Sequence, residues 1–375
     1  MKKNRIIISA NVIFTIANFR KELIKFLVQN EFEIICVASK DELSNNAVDI
    51  LNNLGVKFVE ISVSRKGINP IEDLAYLFNL IKIYKEYRPK AVLHFTIKPN
   101  IYGTIACKLL NIPSINTING LGSGIIKDNL LSKVLKFLYK VSLKYSHKIL
   151  FQNNDDKDFF IENKIISEKK IAIVPGSGVD TAYFDNSESN NKNLTFILIA
   201  RLLKDKGIYE YIQAIKEIKK SSSNAVFLLA GQFDHNNPSA IKENEVKSWQ
   251  EEKLIEYIGK TDDIKDFFKL SDVVVLPSYR EGLSRVLIEA ASASKPIITT
   301  NVAGCKDVVV ENVNGYLCEL KSISSLKECI EKMCDISQEE RYAMGCNSKK
   351  ISKNKFDKEI VNQIYLNEIN IICSI

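Results

Sequence analysis

The stretch Ser278–Thr300, SYREGLSRVLIEAASASKPIITT, comes directly after the apolar run VVVLP at 273–277. The run reads as a buried strand, and the stretch after it opens as a loop that turns into a helix. Glu281 and Glu289 stand eight residues apart there, with Gly282 beside the first. That spacing puts Glu281 at the mouth of the helix and Glu289 about two turns along it. Gly282 lacks a Cβ and lets a ligand approach the backbone, while Gly282 and Leu283 offer amides at a helix start, where phosphate binds well. Carboxylate oxygens accept hydrogen bonds from neutral hydroxyls, so one glutamate suits a sugar and the other a ribose. Glu281 also has a plain reading as a favourable first-turn charge, and Glu289 as part of a solvated face. Against the latter, Glu289 lies within the apolar VLIEAASA, where a carboxylate needs a partner.

Working outward, short β-branched runs alternate with helical patterns along the whole chain. The first half reads RIIISA, EIICVAS, KFVEISV, AVLHFT, SINTIN, KILFQN and IAIVPG, and the second LTFILIA, AVFLLAG, IEYIG, VVVLP, PIITT and YLCEL. Continuous apolar strands separated by helices imply parallel sheets covered on both faces. The chain has 375 residues, too many for one ordinary core. The fold class is therefore α/β, with two doubly wound Rossmann-like domains facing across a cleft. The expected boundaries are 1–180 for the first domain, 181–193 for a polar linker and 194–355 for the second domain. A C-terminal helix at 356–375 is expected to cross back to the first domain. The basic, then apolar, opening MKKNRIIISANVIF reads as a first strand rather than a signal peptide.

Composition narrows the function classes. Apolar residues make up 46% and charged residues 26%, as in soluble globular proteins. No apolar run reaches the roughly 18 residues of a membrane span. The net charge of +7 fits anionic partners: nucleotide phosphates, lipid phosphates or an acidic membrane face. No nucleic-acid-binding motif is present, so no nucleic-acid partner is expected. The eight cysteines form no CxxC pair and read as small buried hydrophobes in a reducing cytoplasm, and the three histidines are too scattered for a zinc site.

Ligands in such sheets bind beyond the carboxyl ends of strands. After LTFILIA comes RLLKDKGIYEYI, where Arg201 and Lys206 flank a tight turn and Gly207 opens a helix. Two cations beside helix-start amides suit a diphosphate; the alternative is a solvated basic loop.

EGLSRVLIEA resembles the E-x7-E motif of glycosyltransferase family 4, retaining enzymes of the GT-B fold. VPGSGVDTAYF at 174–184 looks like that family's interdomain element, ARLLKDKG like its phosphate loop, and NVAGCKDVVVENVNGYLCE at 301–319 like its GG-x-x-E…G-x-L element. The resemblance spans nearly the whole chain. It implies a glycosyltransferase with a nucleotide sugar as donor substrate and with no cofactor or metal. Arg201 and Lys206 would hold the donor diphosphate, Glu281 the transferred sugar and Glu289 the ribose. Leu283 and Ser284 would offer backbone amides, and Gly259 and Lys260 would border the base. Many members carry a histidine after the fifth strand of the first domain; here the region reads NTINGLGSG, so Asn119 and Gly120 are expected near the donor, Asn119 without an acid–base role. Asp307, or Lys306 under a shifted alignment, stands where the GG-x-x-E element often has its glutamate.

IANFRKEL, TIKPNIYG, NGLGSG and SRKGINP at 64–70 resemble a subgroup that extends polyprenyl-diphosphate-linked glycans, including N-acetylgalactosaminyltransferases of bacterial N-glycosylation and O-antigen enzymes. The donor that this subgroup implies is a UDP-sugar carrying an N-acetylhexosamine, with N-acetylgalactosamine first. The first domain would bind the acceptor. Such an enzyme works as a peripheral protein on the cytoplasmic face of the bacterial inner membrane. The segment 129–148 fits that role, with Leu130, Leu131, Val134, Leu135, Phe137, Leu138 and Val141 ringed by Lys133, Lys136, Lys140, Lys144 and Lys148. Its plain reading is an amphipathic helix packed on the sheet. The rival functions are a transferase for another O-antigen or capsule acceptor, an epimerase or phosphorylase of the same fold, and a nucleotide-sugar-binding protein without turnover.

Overall fold

The computed structural model describes residues 4–374 apart from 41–43, 63–68, 127–128, 186–190, 221–223, 236 and 262. Residues 64–68 of the SRKGINP stretch, and 186–190 of the expected linker, lie outside the described residues. The chain forms two compact units, Met1–Gly178 with Lys358–Ile375, and Val179–Asp357.

In the first unit, seven strands form one parallel sheet: β1 (Arg5–Val12), β2 (Glu33–Ser39), β3 (Lys57–Glu60), β4 (Ala91–Phe95), β5 (Ser114–Ile118), β6 (Lys148–Phe151) and β7 (Ile171–Ile173). Their order is β3-β2-β1-β4-β5-β6-β7. Both faces are covered, which is why the strands read as unbroken apolar runs. Along β1, Ile6 and Ile8 enter one core while Ile7 enters the core on the other face. The helix Lys358–Cys373 belongs to this unit, with Val361, Tyr365, Ile369 and Ile372 buried among β1, β2 and β4 residues. Its Tyr365 hydroxyl lies 2.9 Å from the Thr117 hydroxyl.

The second unit holds β8 (Thr195–Ile199), β9 (Val226–Ala230), β10 (Glu256–Tyr257), β11 (Val273–Leu276), β12 (Ile297–Thr300) and β13 (Gly315–Cys318), ordered β10-β9-β8-β11-β12-β13 and parallel throughout. Every strand read from the sequence is present, and the doubly wound α/β class holds for each unit. In both sheets the order reverses beside the first strand, between β1 and β4 and between β8 and β11. Such a reversal parts the connecting loops and leaves a crevice at the carboxyl edge.

Three details differ from the sequence reading. The polar segment expected as a linker over 181–193 is structured at its start: Thr181–Phe184 is a 3-10 turn of the second unit. There Phe184 is buried, edge-on to Phe268 with centroids 5.9 Å apart, so one aromatic outweighs its polar surroundings. At the other end Phe356, placed with the C-terminal helix, is buried in the second unit's core. In the basic segment 129–148, the helix covers only Leu130–Leu143. Lys148 opens β6 and pairs with Glu368 at 2.9 Å, and Lys136 donates to Asn163 at 2.9 Å while lying over the Phe159 ring. Lys133, Lys140 and Lys144 are exposed, as are Leu130, Leu131 and Phe137. Leu135 and Leu138 pack against the core.

Candidate active site

The switch point of the second sheet gathers the residues singled out in the sequence. The loop after β8 carries Arg201, then the 3-10 turn Lys204–Lys206, then Gly207, which starts the helix Ile208–Lys219. Gly207 has φ +72, and a Cβ there would meet the Pro277 carbonyl oxygen at 2.0 Å. The absent side chain lets this turn lie directly on the loop after β11. Tyr279 N–H donates to the Asp205 carbonyl at 2.8 Å, joining the two loops.

That contact brings Lys206 and Glu281 together. Lys206 Nζ lies 2.6 Å from Glu281 Oε1, with the side chains only 14% and 20% exposed. The Ser278 hydroxyl donates to the same oxygen at 2.9 Å. Ser278 and its role were not foreseen; its hydroxyl three residues before a carboxylate is a signal that the sequence does carry.

A third loop, after β12, fixes the second. Glu281 N–H donates to Ala303 O at 3.0 Å and Ser284 N–H to Gly304 O at 2.9 Å. Gly304 has φ +76, and a Cβ would stand 2.3 Å from the Glu281 carbonyl oxygen. Asp307 accepts the Gly304 N–H at 2.8 Å, so in this turn it braces the loop beneath Glu281. These bonds correct one expectation. The Ser284 amide is already engaged and is not available to a ligand. The helix begins at Arg285 with Ser284 as N-cap, so Glu281 sits in the loop ahead of it, not in its first turn. Leu283 N–H has no carbonyl partner among the described backbone bonds outside helices and strands.

Glu289 lies inside that helix and is 7% exposed. Its partner, missed in the sequence, is Arg285, whose Nε–H donates to Oε1 at 2.7 Å from one turn earlier. The i,i+4 spacing was legible. Burial pushes the Glu289 carboxyl above its ordinary range, and Arg285 only partly opposes this. Cys305, beneath the Glu281 loop, is buried, and burial and then the Glu281 charge push its thiol up to about 12. A neutral thiol of this kind is no nucleophile.

The remaining residues sit apart. Arg201 is 63% exposed and its guanidinium is 3.6 Å from Asp234. Gly259 and exposed Lys260 follow β10 at the sheet edge, where Gly259 O accepts Gly231 N–H at 2.7 Å. Asn119 and Gly120 belong to the first unit, after β5, and Asn119 Oδ1 accepts from Arg20 at 3.0 Å.

Two sheets of this topology, one with a lysine–glutamate pair and a buried glutamate at its switch point, define an α/β transferase of the two-Rossmann-domain class. The description "Glycosyl transferases group 1" matches residues 179–351, and "Glycosyl transferase 4-like" matches residues 6–153. Together they span most of the chain, which belongs to the family 4 glycosyltransferases and is an enzyme of that kind. It is 28% identical over 370 residues, 94% of each chain, to the N,N'-diacetylbacillosaminyl-diphospho-undecaprenol alpha-1,3-N-acetylgalactosaminyltransferase of Campylobacter jejuni. It is 25% identical to the UDP-Gal:alpha-D-GlcNAc-diphosphoundecaprenol alpha-1,3-galactosyltransferase of Escherichia coli, over 81% of this chain and 82% of that one. Among solved structures, a glycosyltransferase from Rickettsia africae superposes with a TM-score of 0.82 at 20% identity, over 100% of this chain and 99% of the other. This likeness extends the GT-B fold to the whole chain.

Proposed function

We propose that this enzyme moves an N-acetylhexosamine, N-acetylgalactosamine first, from a UDP-sugar to a polyprenyl-diphosphate-linked glycan, with retention at the anomeric carbon and without a metal. The observation that carries this reading is the Lys206–Glu281 pair at the carboxyl edge of β8 and β11. Lys206 supplies a largely sheltered cation for the departing diphosphate, and Arg201, exposed beside Asp234, adds a second. Charge that develops on a leaving diphosphate is stabilised best by groups already fixed in place. Glu281 then turns from Lys206 towards the hydroxyls of the transferred sugar. Glu289, held by Arg285, accepts from the ribose. The Leu283 amide faces the phosphates, and Gly259 and Lys260 border the base.

Neutral Cys305 supplies no nucleophile, and we assign attack to the acceptor hydroxyl on the face the diphosphate leaves, the phosphate taking the proton. Retention follows. Asn119, already committed to Arg20, takes no proton in this scheme. The names of the Campylobacter and Escherichia relatives support an undecaprenyl-diphosphate-linked acceptor and, for the second, a UDP-sugar donor.

Among the described residues no helix is long and apolar enough to cross a membrane. A lipid-linked acceptor then requires the enzyme to dock peripherally, on the cytoplasmic face of the inner membrane. We assign docking to the helix Leu130–Leu143, through exposed Lys133, Lys140 and Lys144 beside Leu130, Leu131 and Phe137. Each such lysine contributes about 1 kcal/mol near an anionic surface. A donor screen by nucleotide release, with several polyprenyl-diphosphate glycans, tests the substrate assignment. Release from UDP-N-acetylgalactosamine that needs a diacetylbacillosamine-type acceptor is expected; release only from UDP-galactose on an N-acetylglucosamine acceptor would assign the enzyme to the second relative's chemistry.

A further inference from the structure

The helix Pro70–Tyr87 buries Asp73, Tyr76, Leu80 and Tyr84 against the sheet. Its outer face should then be polar, and towards the C-terminal end it is, with Lys82, Lys85 and Glu86 exposed. The N-terminal half is different. Ile71 is 81%, Leu74 52% and Phe78 61% exposed, with exposed Ala75 between them. The spacing places all four on one stripe. Single exposed apolar residues are ordinary, but a stripe on one rigid element marks a binding surface.

Its setting indicates what covers it. Tyr76, Leu80 and Tyr84 share a core with Ile7 and Val92, and on the same sheet face Tyr139 and Leu143 of the Leu130–Leu143 helix share one with Ile149 and Phe151. Both helices follow parallel strands and so begin at the same carboxyl edge. Ile71 and Leu130 therefore stand in first turns along one rim. The turn Pro99–Gly103 lies between and touches both helices. The chain segment that forms this flank is also cationic. From Pro89 to Asn154 the chain holds nine lysines and a single carboxylate, Asp128, a net +8 against +7 for the whole protein. Of these lysines, Lys98 is paired with Asp73 and Lys148 with Glu368, while exposed Lys133 stands in the first turn of the Leu130–Leu143 helix and exposed Lys140 and Lys144 lie farther along it. An apolar stripe beside the exposed Lys133, Lys140 and Lys144 of the neighbouring helix is complementary to anionic lipid.

The stripe is also firmly held. Asp73, between Ile71 and Leu74, is 3% exposed, takes Lys98 Nζ at 2.5 Å and accepts from the Tyr102 hydroxyl at 2.9 Å. Lys98 directly precedes the segment Pro99–Gly103 and Tyr102 lies within it, so two hydrogen bonds tie the helix's first turn to that segment.

We propose that Ile71, Leu74 and Phe78 form a wedge that enters the acyl layer of an anionic bilayer beside the Leu130–Leu143 helix. The wedge rests on the peripheral docking assigned above. It is tested with a Phe78→Trp variant and vesicles of phosphatidylglycerol and phosphatidylethanolamine with brominated acyl chains. The native Trp249 is buried in the second unit and gives a constant background. Emission from the introduced tryptophan should shift to the blue and be quenched by bromine. The full-length variant L74S/F78S keeps its core, because both sites are exposed, and should partition onto the vesicles about tenfold or more weakly. If the parent binds vesicles while the introduced tryptophan stays unquenched and L74S/F78S binds equally well, the wedge is wrong and lysine docking alone stands. Failure of the parent to bind vesicles at all overturns both. A parent that sediments as a dimer and becomes monomeric in L74S/F78S gives the stripe to a second copy of this chain and overturns the wedge.

Discussion

Lys206 and Glu281 lie 75 positions apart in the chain, yet their charged atoms are 2.6 Å apart at the point where the second sheet reverses its strand order. The loops after β8 and β11 are held together by glycine contacts and backbone hydrogen bonds, not by the ion pair itself. The pair is thus free to exchange its internal partner for a ligand without loss of the loop structure.

Replacing Lys206 by alanine should lower turnover about a hundredfold or more, the cost of one fixed charge-stabilising group. Thermal stability should fall as well, since removing one partner of a largely buried pair leaves the Glu281 carboxylate with only the Ser278 hydroxyl. EDTA should leave parent turnover intact. Steady-state kinetics with and without chelator, beside a thermal melt, check all three.

Glu289→Gln should separate stability from function. Burial raises the Glu289 carboxyl above its unfolded value of 4.5. A raised carboxyl favours folding when protonated, and that contribution is lost as pH rises through the folded pKa. At pH 7 the parent carries the cost of a buried charge that glutamine lacks. The variant should therefore melt higher than the parent at pH 7, with the difference closing as pH falls towards 4.5. Its affinity for UDP should drop at every pH. Melts across pH, with UDP titrations by calorimetry, test this; a variant less stable at pH 7 would show that the Arg285 bond outweighs desolvation.

Gly304→Ala should be far more harmful than Gly259→Ala, although both glycines have φ above +70. A Cβ at 304 meets the Glu281 carbonyl oxygen at 2.3 Å, whereas one at 259 meets nothing within 4 Å. The second change costs only the left-handed backbone, about 1 kcal/mol. The first must also push the Glu281 loop aside, for about 2 kcal/mol or more and most of the activity. Melting temperature and turnover of the two variants give the comparison.

The strands were legible because a parallel sheet buried on both faces demands unbroken runs such as RIIISA and VVVLP, and the glutamates because their spacing survives any choice of helix start. What was not legible came from distant partners. The Ser284 amide is consumed by Gly304, a residue of another strand's loop. Lys148 lies in the basic periodicity of 129–148, but the strand KILF claims it, and Glu368 from the far end of the chain pairs with it. Lys136 is drawn to Asn163 and Phe159 of the next helix. Phe184 sits among polar neighbours and is buried only because Phe268 waits for it. The Arg285–Glu289 bond is the opposite case: the spacing was on view, and the apolar surroundings of Glu289 already required a partner.

Truncation after Asp357 should unfold the first unit. It removes four buried apolar side chains, Val361, Tyr365, Ile369 and Ile372. At about 1.5–3 kcal/mol each, taken as an upper estimate, the loss matches the whole stability of a typical domain. Calorimetry should show one melting transition fewer than in the full chain, and a truncated protein with the parent's profile would show that the helix is dispensable.

The central claim is acceptor-dependent transfer at the Lys206–Glu281 site. The most direct measurement is UDP release in EDTA from UDP-N-acetylhexosamine, with and without an undecaprenyl-diphosphate-linked glycan, by the parent and by Lys206→Ala. Rapid release by the parent only when acceptor is present, an α-linked product and loss of about two orders of magnitude in the variant are predicted. Equal release by parent and variant, or a β-linked product, would contradict the account.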